Sequence, residues 1–366
     1  MKFCLIYNFA QHYRKSIFTL LDENMEIDFY FGDKMEDVKK LDYDLFKNKV
    51  KEIHNVNLGP FLWQKEVIKL VFKKYDTFIM LGQYKCFSTW IILVLARALG
   101  KRVFFWSHGW YGKETLLQKA IKKVFFGLAN GTMLYGNYAR DLMIKEGLNP
   151  YKLTVIYNSL AYDKQLNIRR GLIYSDTYIS HFGNSLPNVV FVGRFTKVKK
   201  LHLLIEALSI SKKQGYLYNL TFIGDGEERN TLLSLTESKD LSKQIWFYGS
   251  TYDEKELSGL LYNADLCVAP GNIGLTAMHA MVYGCPCISH NDFTRQMPEF
   301  EAIKEGVTGS FFQYGDTDNL ASCINNWFSL HINDREVIRK NCYKEIEEHW
   351  NPHVQFDIIK HTICYD

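Results

Sequence analysis

Short apolar runs bounded by glycines and polar turns recur along the chain, separated by amphipathic stretches at helical spacing. Phe3-Cys-Leu-Ile-Tyr7 predicts a first strand, Asn8 to Gln11 a loop, and the residues through about Leu21 a helix. Ile27–Phe31, Thr77–Leu81, Arg102–Trp106, Gly131–Tyr135 and Leu153–Tyr157 continue the strand series, with a helix over about Glu114–Leu128 between two of them. The longest apolar stretch, Cys86 to Gly100, contains Arg97 and falls short of the roughly 20 residues that cross a bilayer. It predicts a buried helix. In Phe61–Lys74 the apolar positions 63, 67, 70 and 71 lie at helical spacing, with Lys65, Lys69, Lys73 and Lys74 elsewhere around the helix. The charged segment from Gly32 to Glu52 predicts no clear element.

Residues 158–187 read as a polar, irregular connection. The rhythm then restarts with strands at Asn188–Val192, Leu220–Ile223, Ile245–Tyr248, Leu266–Ala269 and Pro286–Ser289, and amphipathic helices between them. Alternating strands and helices predict an α/β fold: two halves of similar size, each a parallel sheet with helices on both faces. Ligands of such sheets bind beyond the carboxyl ends of the strands, which for two facing sheets is the cleft between them.

Composition narrows this little. The 366 residues are 47% hydrophobic, which excludes a disordered or fibrous chain. The formal charge of +4 hides an asymmetry: residues 1–165 hold 25 Lys/Arg against 16 Asp/Glu, and the remainder 19 against 24. The basic half points to an anionic partner, such as a membrane surface or a phosphate-bearing lipid. No basic-aromatic motif supports nucleic acid. Eight scattered cysteines without metal-ligand spacing, and an N-terminus too quickly polar for a signal peptide, predict a reduced cytosolic protein without a structural metal.

The stretch that carries most chemistry is Ala269-Pro-Gly-Asn-Ile-Gly-Leu-Thr-Ala-Met-His-Ala-Met-Val-Tyr-Gly-Cys-Pro-Cys-Ile-Ser289. A strand, a turn containing Gly271, Asn272 and Gly274, and then a helix starting near Leu275 gather free backbone amides at the positive end of a helix dipole. A phosphate or diphosphate is the natural guest; the other reading is an ordinary βα turn. Gly193-Arg-Phe-Thr-Lys-Val-Lys-Lys200, after the first strand of the second half, places Arg194 and Lys199 where a diphosphate is clamped, Arg by its planar fork and Lys as a point charge.

Gly193-Arg194…Lys199, Ile223-Gly-Asp-Gly-Glu227, Tyr248-Gly249, and Pro270…Gly274-Leu275 with Gly284-x-Pro286 together resemble, in order and spacing, the GT-B retaining glycosyltransferases of family 4. The likeness covers most of residues 188–315; in the first half Ser107-His108-Gly109 is the recognisable piece. The resemblance implies two Rossmann-like domains, at about 1–165 and 166–348, facing across a cleft, with 349–366 a helix crossing back to the first. It implies that a nucleotide-diphosphate sugar, UDP- or GDP-linked, is held mainly by the second domain. Arg194 and Lys199 would hold the diphosphate, with Gly193 and Asn272 beside them. Gly274, Leu275 and Thr276 would present backbone amides, and Tyr248 and Gly249 would line the base. His108 would face the donor sugar.

One departure stands out. The family's glutamate pair, eight residues apart, falls here on Gly271 and His279. His279 still hydrogen-bonds hydroxyls, whereas Gly271 offers no side chain. Glu299 and Glu301, in Pro298-Glu-Phe-Glu301, are candidates to replace the carboxylate. His12, Tyr13 and Arg14 stand at the first βα turn, where an acceptor binds; the alternative is a capped helix start.

The chemistry implied is departure of a sugar from its diphosphate through an oxocarbenium-like state, with retention, the leaving phosphate taking the acceptor's proton. Neither metal nor cofactor is expected. The expected role is hexosyl transfer to a glycan or lipid-linked acceptor of a bacterial surface polysaccharide, at the cytoplasmic side and peripheral to the membrane through the basic helices 61–74 and 114–128. A non-catalytic nucleotide-sugar-binding partner protein and a same-fold epimerase or hydrolase are the alternatives.

Overall fold

The computed structural model of the chain describes residues 1–34, 39–331 and 333–365. Part of the charged segment, 35–38, and positions 332 and 366 of the expected second domain and terminal segment lie outside the described residues. The chain divides into two compact units, Met1–Ala161 with Trp350–Asp366, and Tyr162–His349.

In the first unit, β1 (Phe3–Tyr7) leads through α1 (Lys15–Asn24) to β2 (Ile27–Gly32) and β3 (Val50–Ile53). A hairpin of β4 (Asn55–Leu58) and β5 (Phe61–Gln64) precedes β6 (Thr77–Leu81), α2 (Phe87–Ala98) and β7 (Arg102–Ser107). Then come α3 (Leu116–Leu128), β8 (Gly131–Leu134), α4 (Asn137–Lys145) and β9 (Leu153–Val155). Seven of these strands form one parallel sheet in the order β3-β2-β1-β6-β7-β8-β9. Its central strands are buried on both faces, which is why they read as unbroken apolar runs. Ile92, Leu93, Phe125 and Phe126 of α2 and α3 pack on one face. Ile17, Phe18 and Leu21 of α1 pack on the other.

The second unit begins with α5 (Tyr162–Arg169) and α6 (Thr177–Phe182). It continues as β10 (Asn188–Val192), α7 (His202–Lys213), β11 (Asn219–Ile223), α8 (Arg229–Ser238), β12 (Ile245–Gly249) and α9 (Glu254–Asn263). The chain then runs through β13 (Leu266–Ala269), α10 (Thr276–Val282), β14 (Cys287–His290), β15 (Gly309–Phe312), α11 (Thr317–His331) and α12 (Arg335–Glu348). Its six parallel strands lie in the order β12-β11-β10-β13-β14-β15. After Trp350 the chain rejoins the first unit, where α13 (Pro352–Tyr365) lays Phe356, Ile359 and Ile363 into the cluster that contains α1.

Three sequence expectations are corrected. Residues 61–74 are not one helix: Phe61–Gln64 pairs antiparallel with Asn55–Leu58, Glu66 takes a left-handed φ of 67°, and only a short 3-10 stretch, Val67–Phe72, follows. A left-handed residue cannot sit inside a right-handed helix, so the periodicity there spans two elements. The apolar stretch 86–100 is not fully buried, since α2 keeps Phe87, Ile91 and Val94 exposed. The connection 158–187 is not irregular throughout, because it carries α5 and α6.

Candidate functional site

In the second unit the strand order reverses between the neighbours β10 and β13, so the loops leaving their carboxyl ends run to opposite sides and open a crevice. The loop after β10 is stitched to the loop after β11. The Gly193 amide donates to the Ile223 carbonyl at 3.0 Å, and the Phe195 amide to that of Asp225 at 2.8 Å. Glycine at 224 is required there: with φ at +148°, an added Cβ would stand 1.9 Å from the Gly193 carbonyl oxygen.

Lys199 ends the short 3-10 turn Lys197–Lys199, and its ammonium reaches across to the loop after β13. It donates to the Asn272 carbonyl at 2.7 Å and to Asn272 Oδ1 at 2.8 Å. Burial pushes its pKa down to about 8; the carboxylate of Glu299 opposes this and the nearby Arg194 cation adds to it. Arg194, Lys199 and Glu299 therefore share one electrostatic neighbourhood. Glu299 is itself buried, while Glu301, on the same turn, is half-buried and presents its carbonyl to Lys304 at 2.7 Å.

Gly271 has a physical reason to lack a side chain. Its amide donates to the Lys199 carbonyl at 2.9 Å. A Cβ there would lie 2.1 Å from the Val198 carbonyl oxygen and 2.7 Å from Lys199 Cα. The backbone that carries the lysine occupies the volume a glutamate would need.

Past Gly274, which holds a left-handed φ of 52°, α10 opens at Leu275 and Thr276 without a side-chain cap. The Thr276 hydroxyl donates instead to the Val192 carbonyl at 2.9 Å, tying the helix start to the end of β10. The structure thus brings Gly193, Arg194, Lys199, Asn272, Gly274, Leu275, Thr276 and Glu299 to one crevice.

Tyr248 and Gly249 end β12, two strands from β10, where the Tyr248 hydroxyl donates to Glu256. His279 projects from α10. Burial holds it below its ordinary pKa, partly countered by Glu254, and its Nδ1 has no hydrogen-bond partner among the described residues. Glu254 is held by the Tyr283 hydroxyl at 2.6 Å and Gln165 Nε2 at 3.0 Å.

Sequence reasoning missed the brace behind this crevice. Buried Gln296 accepts from the Ile273 amide at 2.9 Å and donates to Ser289 Oγ at 2.8 Å and the His290 carbonyl at 3.0 Å. Ser289 Oγ in turn donates to the carbonyls of Ala269 and Gly271, at 2.9 and 3.2 Å. No local pattern marks these residues, because the bonds join segments some 20 positions apart.

In the first unit the triplet His12, Tyr13 and Arg14 is split. His12 is exposed, whereas Arg14 is buried, with its guanidinium 5.3 Å from the Tyr7 and Tyr135 ring centres and 5.4 Å from that of Trp106. It donates to the Tyr135 hydroxyl. The His108 ring lies 4.7 Å from the Tyr135 ring. Burial first, and Arg14 second, push the His108 pKa down to about 4, so its imidazole is neutral at pH 7. Ser107 shapes this turn, accepting from the Gly109 amide at 3.1 Å and donating to the Gly82 carbonyl at 3.0 Å. Among the described residues, no His, Cys, Asp and Glu side chains gather as a metal site.

Residues 180–345 match the family model described as glycosyl transferases group 1. A Klebsiella pneumoniae relative, an uncharacterized 41.2 kDa protein in the cps region, is 24% identical over 192 residues, 52% of this chain and 49% of its own. The chain spans about half the length of the curated relatives it matches. The lipopolysaccharide outer core galactosyltransferase WaaB, in apo form, superposes with a TM-score of 0.74 at 16% identity, covering 99% of both chains. Anabaena Alr3699/HepE in complex with UDP superposes at 0.73 and 15% identity, again over 99% of both. The fold is the GT-B fold of glycosyltransferases, two Rossmann-like units with parallel sheets.

Proposed function

We propose that the protein is a glycosyltransferase of surface-polysaccharide assembly, moving a hexosyl residue from a nucleotide-diphosphate sugar to a glycan or lipid-linked acceptor with retention. The observation that carries this is the nearness of Arg194 to the half-buried Lys199 at the reversal of the second sheet, beside the uncapped start of α10. Desolvating an ammonium is unfavourable, and an arriving dianion offsets that penalty. Both cations then face the charge that develops on the leaving diphosphate, the largest electrostatic demand of the reaction. On this reading the charge is met by side chains and amides without a metal, and the departing phosphate takes the acceptor's proton. The similar cps-region protein supports the polysaccharide setting, the lipopolysaccharide galactosyltransferase the reaction class, and the UDP-bound neighbour a UDP donor.

The neutral His108 imidazole offers one donor and one acceptor to sugar hydroxyls. On this reading Glu299, whose charge acts on Lys199, takes over part of the role absent at Gly271.

A second reading has one observation in its favour. The volume a glutamate would fill at Gly271 is occupied by backbone, as suits a protein that binds nucleotide sugars without transferring them. Nucleotide release from a panel of UDP- and GDP-sugars, with and without a lipid-extract acceptor, separates the two. Acceptor-dependent release is expected, and Arg194→Ala or Lys199→Ala should lower kcat/KM by about 100-fold or more. Tight binding with no turnover would establish the second reading, and acceptor-independent release a hydrolase. Unchanged turnover in both variants would dismiss the clamp.

A further inference from the structure

The connections from β6 to β7 and from β7 to β8 join adjacent parallel strands, so α2 and α3 lie side by side on one face of the first sheet. Trp90 of α2 packs on Phe125 of α3 with ring centres 4.9 Å apart. Their inner sides fill the core. Their outer sides repeat one pattern, Phe87, Ile91 and Val94 on α2 and Leu117, Ile121 and Val124 on α3, at spacings of four and then three residues. Val94 is 57% exposed, Leu117 70% and Val124 58%. The β4–β5 hairpin extends the ridge, with Phe61 stacked on Phe87 at 4.6 Å. Exposed apolar stripes of this kind on two adjacent helices mark a contact surface.

Charge decides what it contacts. From residue 77 to residue 140 the sequence has one carboxylate, Glu114, against nine Lys and Arg. Glu114 is withdrawn from the surface, its side chain 6% exposed and bonded to Lys122 at 2.7 Å. Lys113, Lys123 and Arg97 are exposed at the margins of the two helices. A second copy of this face would set cations against cations. A bilayer with anionic headgroups matches both features, apolar side chains entering between the headgroups and cations remaining at their level.

We propose that the α2–α3 face of the first unit docks on an anionic lipid bilayer, with Phe87, Ile91, Val94, Leu117, Ile121 and Val124 inserted. Of the two basic segments expected from sequence to meet a membrane, this keeps 114–128 as α3, adds the exposed stripe of α2, and drops 61–74, which the structure breaks into a hairpin and a 3-10 turn. It also stands independently of the reaction assigned to the second unit.

The test is co-sedimentation of the full chain with vesicles of phosphatidylcholine alone or with about 30% phosphatidylglycerol. Partition onto the anionic vesicles is expected to be about tenfold stronger or more, weakened but not abolished by about 0.5 M sodium chloride. The double variant Val94→Asp/Val124→Asp should lose at least about tenfold in partition with its melting temperature and UDP affinity unchanged, because both side chains are exposed. Lys113→Gln/Lys123→Gln should weaken binding to anionic vesicles only. Three outcomes overturn the proposal: no vesicle binding, binding that the double aspartate variant retains, or a dimer of the native chain that this variant dissociates. None of them bears on whether the enzyme releases nucleotide.

Discussion

Lys199 is the residue through which pH reaches the crevice. Its ammonium is held by neutral oxygens of Asn272 and titrates near 8 because burial disfavours the charge. A bound diphosphate favours the charged form, so binding raises this pKa and takes up a proton around pH 8. Below that pH the site is already charged and affinity is flat with respect to this group. Above it, affinity for UDP should fall by up to about tenfold per pH unit. Calorimetric titration at pH 7, 8 and 9, in buffers of different ionisation heat, reads both the affinity and the proton. Lys199→Arg should flatten the profile, since a guanidinium stays charged throughout. An affinity of the native chain that is constant from pH 7 to 9 would show that the lysine does not meet the nucleotide.

At the scale of elements, the loop after β13 is set by the brace behind it. Gln296→Leu keeps the volume but strands the Ile273 amide and the His290 carbonyl in a dry interior. A loss of about 2 kcal/mol is expected, together with weaker UDP binding; thermal melts and a binding isotherm check it. The glycine turns of this site were legible in the sequence because each depends on a few consecutive residues, Gly193-Arg194 or Gly271 to Gly274. The brace was not, since Gln296 and Ser289 gain their roles only from partners brought in by the sheet. The central strands were legible as buried apolar runs. The hairpin at 55–64 was not, because Phe61, Leu62 and Trp63 fit a strand and the start of an amphipathic helix equally well. The apolar content of α2 was read as burial, when its outward stripe is exposed. Why a glycine stands where the resemblance expects a glutamate became clear only from the Val198 carbonyl packed against it.

At the scale of the whole molecule, the first unit is assembled from two distant pieces of chain. Phe356, Ile359 and Ile363 are buried with Ile17, Phe18 and Leu21 of α1. Gln355 bonds Ser159 Oγ and the Tyr157 carbonyl, both at 2.7 Å, and Arg102 bonds the Ile363 carbonyl at 2.6 Å. Each such apolar side chain contributes about 2 kcal/mol, so removing 350–366 should forfeit most of the stability that a unit of this size holds. The truncated chain is expected in the insoluble fraction, or binding a hydrophobic dye if soluble; a melt within about 2 °C of the full chain would contradict this. The same arrangement bears on how the protein is made. The 188 residues of the second unit, 162–349, are synthesised between the two pieces of the first. At ~5–20 residues per second that interval lasts ~10–40 s. Throughout it the patch that Phe356, Ile359 and Ile363 come to cover beside α1 stays open, so a unit begun before the second one is completed only after it.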